Sequence, residues 1–154
     1  MSTLEIWRQW YQAFERSVSD DQWSRLADLM TPDVQYRIVG APFSCVLKGR
    51  EAIIDGFRRS FAGFDHRFDK RSHIVTRSRV VEPGHVEAHV WGLYEKAGLP
   101  PLAFPAIGHW HIDEGRIGLM VDFYDPGLNE TLAALEWIGT HGPSLGGLDP
   151  RYRD

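Results

Sequence analysis

Apolar side chains recur at spacings of three and four through Leu4, Trp7, Tyr11, Phe14 and Val18, which predicts an amphipathic first helix whose stripe Trp10 widens. Ser19-Asp20-Asp21 stops that helix and caps a short second one carrying Trp23, Leu26, Leu29 and Met30, which Thr31-Pro32-Asp33 breaks in turn. Residues 34–39 read as a strand, Gly40-Ala41-Pro42 as its exit and 43–47 as a short return. Gly49 opens a third helix, with Ile53, Ile54, Phe57 and Phe61 on its buried side and Glu51 well placed in its first turn.

In the second half β-branched and aromatic residues stand between Gly and Pro punctuation, predicting four long strands over 68–81, 86–96, 102–112 and 116–124. The last two join at Asp113-Glu114-Gly115, where Gly supplies the positive φ of a tight hairpin. Past that turn Ile117, Leu119, Val121 and Phe123 share one face, and Gly118, Met120, Asp122 and Tyr124 share the other. Leu128, Leu132, Leu135 and Ile138 mark a last helix over 127–138, and the Gly- and Pro-rich remainder reads as an extended arm. The sum is an α+β layout, one domain over 1–138 and a tail over 139–154, with helices covering one face of a curved antiparallel sheet. Because both faces of the last strand are apolar, the other face needs its own cover, and a second copy of the chain, giving a homodimer through the sheet, is the simplest.

Composition narrows the function classes. A chain of 154 residues with 43% hydrophobic and 25% charged side chains is that of an ordinary globular domain. A formal charge of −4 with scattered basic residues argues against a nucleic-acid partner. The start, Met1-Ser2-Thr3-Leu4-Glu5, lacks the pattern of a signal peptide, and no apolar run reaches the ~20 residues of a membrane span. A cytoplasmic protein with no membrane partner is the expectation. The single cysteine, Cys45, cannot form an internal disulfide or a multi-thiolate metal site, and the seven histidines show no His-Glu-x-x-His spacing, so no metal is expected. Without Gly-x-Gly-x-x-Gly no nucleotide is expected either, and the reading is free of cofactors.

The candidate chemistry lies in a few polar groups set among apolar ones. Asp122 interrupts a strand covered on both faces and so needs a partner or a task; a structural role would pair it with Arg37 or a histidine. His73, with Arg71, Val75 and Arg77 on the same strand face, has an imidazole suited to proton transfer near neutrality. Tyr11 and Tyr36 carry phenols able to polarise a carbonyl, and His89, Trp91 and Glu95 share a strand face by parity.

The aromatic first helix, Asp20-Asp21-Gln22-Trp23-Ser24-Arg25-Leu26, Pro32-Asp33-Val34-Gln35-Tyr36, Lys48-Gly49-Arg50-Glu51-Ala52-Ile53, and Asp113-Glu114-Gly115-Arg116-Ile117 running into Asp122-Phe123-Tyr124-Asp125 together resemble the SnoaL-like, nuclear transport factor 2-like superfamily. The resemblance spans roughly residues 7–138 and implies a cone-shaped α+β barrel with a deep apolar pocket, often dimeric through its sheet. It places Asp122 and Tyr36 where limonene epoxide hydrolase has a catalytic aspartate and a water-positioning tyrosine, with His89 and Trp91 in place of its Arg and second Asp. It places Tyr11 at the oxyanion tyrosine of ketosteroid isomerase, with Gly108 in place of that enzyme's protonated Asp. His73 falls at the catalytic His of the dehydratase and dehydrochlorinase members, whose partner Asp is Ser19 here with Asp20 one position off; Glu95 lies near an acidic residue of bile acid dehydratase.

What this implies is a cofactor-independent lyase or isomerase for a small, largely apolar, oxygenated or aromatic substrate. His73, Asp122, Tyr36, Tyr11 and Asp20 would be its catalytic residues, and His89, Trp91, Glu95, Phe104, Trp110, Met120 and Phe57 its substrate-binding residues. The alternatives are epoxide or ester hydrolysis by water that Asp122 activates, helped by Tyr36 and His89, and a non-catalytic protein that binds a hydrophobic ligand.

Overall fold

Helix α1 (Thr3–Asp20) starts at a capping box, in which the Glu5 backbone N–H donates to the Ser2 hydroxyl at 3.3 Å and the Ser2 N–H donates back to the Glu5 carboxylate at 2.7 Å. It ends where Asp21 turns left-handed, at φ 58°, and returns its N–H to the Ser17 carbonyl. These are the first elements of a computed structural model that describes residues 1–40 and 43–152. The exit predicted at Gly40-Ala41-Pro42 falls partly outside the described residues. The predicted second helix is a 3-10 turn, Trp23–Leu29, in keeping with the spacing of three that sets Trp23, Leu26 and Leu29 on one side. Thr31-Pro32-Asp33 is not a break but the start of strand β1 (Met30–Val39), whose register against its neighbour is irregular between Met30 and Gln35.

Strand β1 pairs antiparallel with β2 (Cys45–Lys48), after which helix α2 (Arg50–Gly63) crosses back over the sheet. Strands β3 (Lys70–Glu82), β4 (His85–Glu95), β5 (Leu102–Asp113) and β6 (Arg116–Phe123) form the predicted meander. The β5–β6 hairpin turns at Glu114 and Gly115, φ 48° and 78°, as two positive-φ residues in succession require. The six strands run in the order β2-β1-β6-β5-β4-β3; β1 and β6 are parallel, so the curved, unclosed sheet is not wholly antiparallel. Pro105 is tolerated in β5 because β6 pairs with that strand only from Ile107 onward, leaving Pro105 with a neighbour on one side only.

Two aromatic cores flank the concave face. The larger joins Trp7, Trp10 and Trp23 to Phe57, Trp110 and Met120; the smaller joins Phe64, Phe68, Tyr94 and Phe104 to Ala134 of helix α3 (Asn129–His141). Helix α3 runs past the predicted end at 138, and the chain then makes a 3-10 turn, Gly142–Leu145, and folds back on α2 instead of extending as a free arm. No helix among the described residues is long and apolar enough to cross a membrane.

Candidate active site

A cavity of about 120 Å³ lies between the concave sheet face, α1, α2 and the C-terminal segment. Its walls are mostly aromatic: Trp10, Tyr11 and Phe14 from α1, Phe57 and Phe61 from α2, and Phe104 and Trp110 from β5. Glycines on the sheet make room for two of the rings. A Cβ at Gly108 would meet the Trp110 ring at 2.1 Å, and one at Gly92 would meet the Tyr94 ring at 2.8 Å, so each indole or phenol lies flat over a bare stretch of strand.

Three polar side chains of this wall, His73, Asp65 and Tyr94, sit together, with Glu15 of α1 against His73. His73 is on the concave side of β3, its side chain only 12% exposed, with Phe14 and Phe61 rings centred 6.0 Å away. Its Nδ1 lies 2.8 Å from Glu15 Oε1 on α1, which makes Nδ1–H the donor and leaves Nε2 as the second face of the ring. Around Nε2 stand the Tyr94 hydroxyl at 3.4 Å and Asp65 Oδ2 at 3.6 Å. Asp65, 4% exposed at the start of the 3-10 turn Asp65–Arg67, has no hydrogen-bond partner for that oxygen among the described residues. Burial pushes the Asp65 carboxyl up to about 6, against the pull of the His73 and Arg71 charges. Burial works against the His73 imidazolium too, but the Glu15 hydrogen bond and the Asp65 charge outweigh it, and His73 titrates above its ordinary value.

A separate polar pair on the wall is Asp122 on β6, whose Oδ2 accepts from the Tyr36 hydroxyl on β1. The parallel pairing of the two strands sets Ile38 against Asp122, so that Tyr36, two residues back and on the same face, reaches it. Burial pushes Asp122 up to about 6, held back by the Tyr36 hydrogen bond and the His73 charge. Burial also raises the Tyr11, Tyr36 and Tyr94 phenols, nearby carboxylates adding to it, so all three are protonated near neutrality. The Tyr11 hydroxyl is buried at the cavity with no partner among the described residues. No group of three or more described His, Cys, Asp or Glu side chains is arranged to hold a metal ion.

Of the residues singled out in the sequence, His73, Asp122, Tyr36, Tyr11, Phe57, Phe104, Trp110 and Met120 all line this cavity. Four do not. Asp20 is exposed, paired with Arg25 and capping the Gln22 N–H at 3.0 Å. His89, Trp91 and Glu95 share the convex face of β4, since the even residues Val86, Ala88, Val90, Gly92 and Tyr94 turn inward; His89 lies by Glu87 and Glu95 by Lys70. Arg37 is not the partner of Asp122: it bonds to Gln35, and Tyr36 takes that place. Ser19, at the position the resemblance gives to an Asp, bonds back to its own helix, and the carboxylate on His73 comes from Glu15, one turn earlier.

Sequence reasoning missed Glu15, Asp65 and Tyr94. Glu15 follows Tyr11 by four, an acid on the apolar stripe of α1, and Asp65 stands between Phe64 and Phe68. With Arg16 beside Glu15 and His66-Arg67 beside Asp65, the local sequence gives only a weak signal for either, and the tertiary fold is what brings both to His73.

Residues 7–120 match the sequence profile of the SnoaL-like domain. No curated protein matches in sequence. Among solved structures, an NTF2-like protein of unknown function from Burkholderia pseudomallei superposes with a TM-score of 0.67 at 15% identity, over 90% of this chain and 98% of that one. An LEH-like epoxide hydrolase of M. tuberculosis gives 0.59 at 18% identity over 86% and 93%. A protein with a ketosteroid isomerase-like fold from Catenulispora acidiphila, solved with trimethylamine, gives 0.58 at 20% identity over 81% and 90%. At such identities these likenesses speak for the fold.

Proposed function

The chain belongs to the SnoaL-like domain family, and on that premise we propose that it is a cofactor-independent lyase or isomerase that moves a proton next to a carbonyl in a small, single-ring, oxygenated substrate. The observation that carries this reading is His73, fixed at Nδ1 by Glu15 with Nε2 turned to Tyr94 and Asp65 on the cavity wall. The substrate size follows from the volume: about 120 Å³ is close to the ~150 Å³ of an apolar cavity that holds one benzene.

In the reaction, neutral Nε2 takes the hydrogen from the carbon beside the carbonyl. The electron pair moves to the carbonyl oxygen, which accepts from the Tyr11 hydroxyl, a donor with no acceptor of its own among the described residues. In the lyase branch the enolate re-forms the carbonyl, a carbon–carbon double bond forms as the β C–O bond breaks, and the leaving hydroxyl takes the same proton from Nε2 as water. In the isomerase branch Nε2 returns the proton to another carbon. A positioned base contributes ~10²–10⁴-fold and a well-aimed oxyanion donor ~10²–10³-fold. Asp122, oriented by Tyr36, is a second proton acceptor on the wall.

The test is solvent deuterium exchange at the carbon beside the carbonyl in single-ring ketones and β-hydroxy ketones, followed by proton NMR. Exchange that Glu15→Gln slows supports the reading. Ketones that bind and are recovered without exchange would refute it and leave a ligand-binding protein.

The Tyr36–Asp122 hydrogen bond favours one second reading, hydrolysis by water that Asp122 activates. Labelled solvent oxygen incorporated into the product of an epoxide or ester would select it. We further propose a homodimer through the convex sheet face, where Ile74 and Phe123 are 47% and 42% exposed. Sedimentation equilibrium with Phe123→Glu, expected to yield monomers, tests that; a parent chain that sediments as a monomer contradicts it.

A further inference from the structure

The wall of the cavity is not uniform in how it is held. On the sheet side each strand is tied to its neighbours by a ladder of backbone hydrogen bonds. The C-terminal side is a single strap of chain: Pro150 and Tyr152 line the cavity, while Arg151 between them is exposed. Asp149–Tyr152 pairs with no strand among the described residues. Its anchors on α2 are the Asp149 N–H on the Gly63 carbonyl at 3.0 Å, Arg59 Nη2 on the Tyr152 carbonyl at 2.6 Å, and the Ser60 hydroxyl on the Pro150 carbonyl at 3.4 Å.

Helix α2 is shaped to receive it. A Cβ at Gly63 would stand 2.2 Å from the Asp149 carbonyl oxygen, and one at Gly56 would stand 2.7 Å from the Tyr152 carbonyl oxygen and 2.6 Å from the Leu47 side chain. Neither glycine has a left-handed φ, so backbone conformation does not call for them; the approach of the strap does. With this seat the Tyr152 ring is held edge-on to Tyr36 at 5.4 Å and to Phe57 at 6.3 Å, closing the cavity next to the Tyr36–Asp122 pair.

We propose that the strap Asp149–Tyr152 is the removable wall through which ligand enters and leaves, and that the Tyr152 ring sets the largest ligand the cavity admits. Opening it gives up the three backbone anchors named above, the hydrogen bonds of the Tyr152 side chain with Ser60 and Tyr36, and one ring's packing, whereas opening the sheet side breaks a continuous ladder, so the strap lies at the low-stability end of the fold. The inference rests on the cavity being the ligand site, as proposed above, but on none of the proton chemistry. Its experiment reads binding and not turnover, so either can fail alone.

The experiment follows 4-fluorophenol, a single-ring probe, by ¹⁹F exchange NMR on the full chain. Gly63→Ala forces the Asp149 carbonyl from its seat, and Arg59→Gln removes the anchor on the Tyr152 carbonyl should the first variant fold poorly. In either, association and dissociation rates are expected to rise together, at least tenfold, with Kd changed less than threefold. Tyr152→Ala is expected to bind 6-fluoro-2-naphthol, a two-ring probe that the parent excludes. Trypsin cleavage after Arg151 of the parent is expected to slow at least tenfold at saturating 4-fluorophenol. Exchange rates equal to the parent's in the folded variants, or cleavage indifferent to the probe, overturns the proposal.

Discussion

Asp65→Asn is expected to stabilise the protein at neutral pH while damaging the site. The Asp65 carboxyl is buried, with one oxygen lacking a hydrogen-bond partner among the described residues, and burial lifts it from an ordinary 3.8 to about 6. The folded chain therefore binds the proton more tightly than the unfolded chain does. Stability contributed by this group is full below about pH 4 and is lost as the pH rises toward about 6. The rise is worth about 3 kcal/mol. Asparagine, with nearly the same shape and no charge to desolvate, escapes that cost, but it also removes the charge that helps hold His73 above its ordinary value, which returns part of the gain. The net is about 1–3 kcal/mol at pH 7–8, or roughly 3–10 °C in Tm for a chain of this length. Calorimetric melts of both proteins from pH 3.5 to 8 should show no difference at the acid end and a gap that opens through pH 4–6. A variant less stable than the parent at pH 8, or a gap that does not depend on pH, would refute the reasoning.

Three further outcomes follow from the same geometry. Glu15→Gln removes a charge-assisted hydrogen bond from Nδ1, so the His73 pKa falls: the acid limb of kcat/KM moves to lower pH, and the rate drops by some part of the ~10²–10⁴-fold that a positioned base contributes, in a pH–rate profile. Tyr36→Phe strips Asp122 of its donor, so the carboxyl rises further above its ordinary range; urea unfolding at pH 8 should show a loss of about 1–3 kcal/mol, smaller at pH 5, where more of the acid is protonated. Gly108→Ala sets a methyl 2.1 Å from the Trp110 ring, and the displaced indole should cost about 1–3 kcal/mol and change the near-UV circular dichroism.

The fold was legible because its signals are periodic and local. The spacing of Leu4, Trp7, Tyr11, Phe14 and Val18, the positive-φ turn at Glu114-Gly115 and the long alternating strands each have one reading. The parallel pairing of β1 with β6 was not, since nothing within either strand says which neighbour it meets eighty residues away. The site divides the same way. Asp122 and His73 stand out as polar groups on apolar or mixed strands, but parity alone does not say which face of β4 is concave, and the face that lines the pocket carries Val90, Gly92 and Tyr94 instead of His89, Trp91 and Glu95. Asp20 drew attention through its place after α1, where its chemistry is that of a surface ion pair, while Glu15 and Asp65 needed the tertiary fold to bring them to one imidazole.

The proposed chemistry requires the His73 imidazole to move the proton. The direct measurement compares turnover and binding of one exchanging single-ring ketone by the parent and by His73→Gln, which keeps a polar side chain but cannot titrate. The account predicts a rate loss of at least ~10²-fold with Kd within a few-fold of the parent. A His73→Gln protein that turns the ketone over at the parent's rate would contradict it.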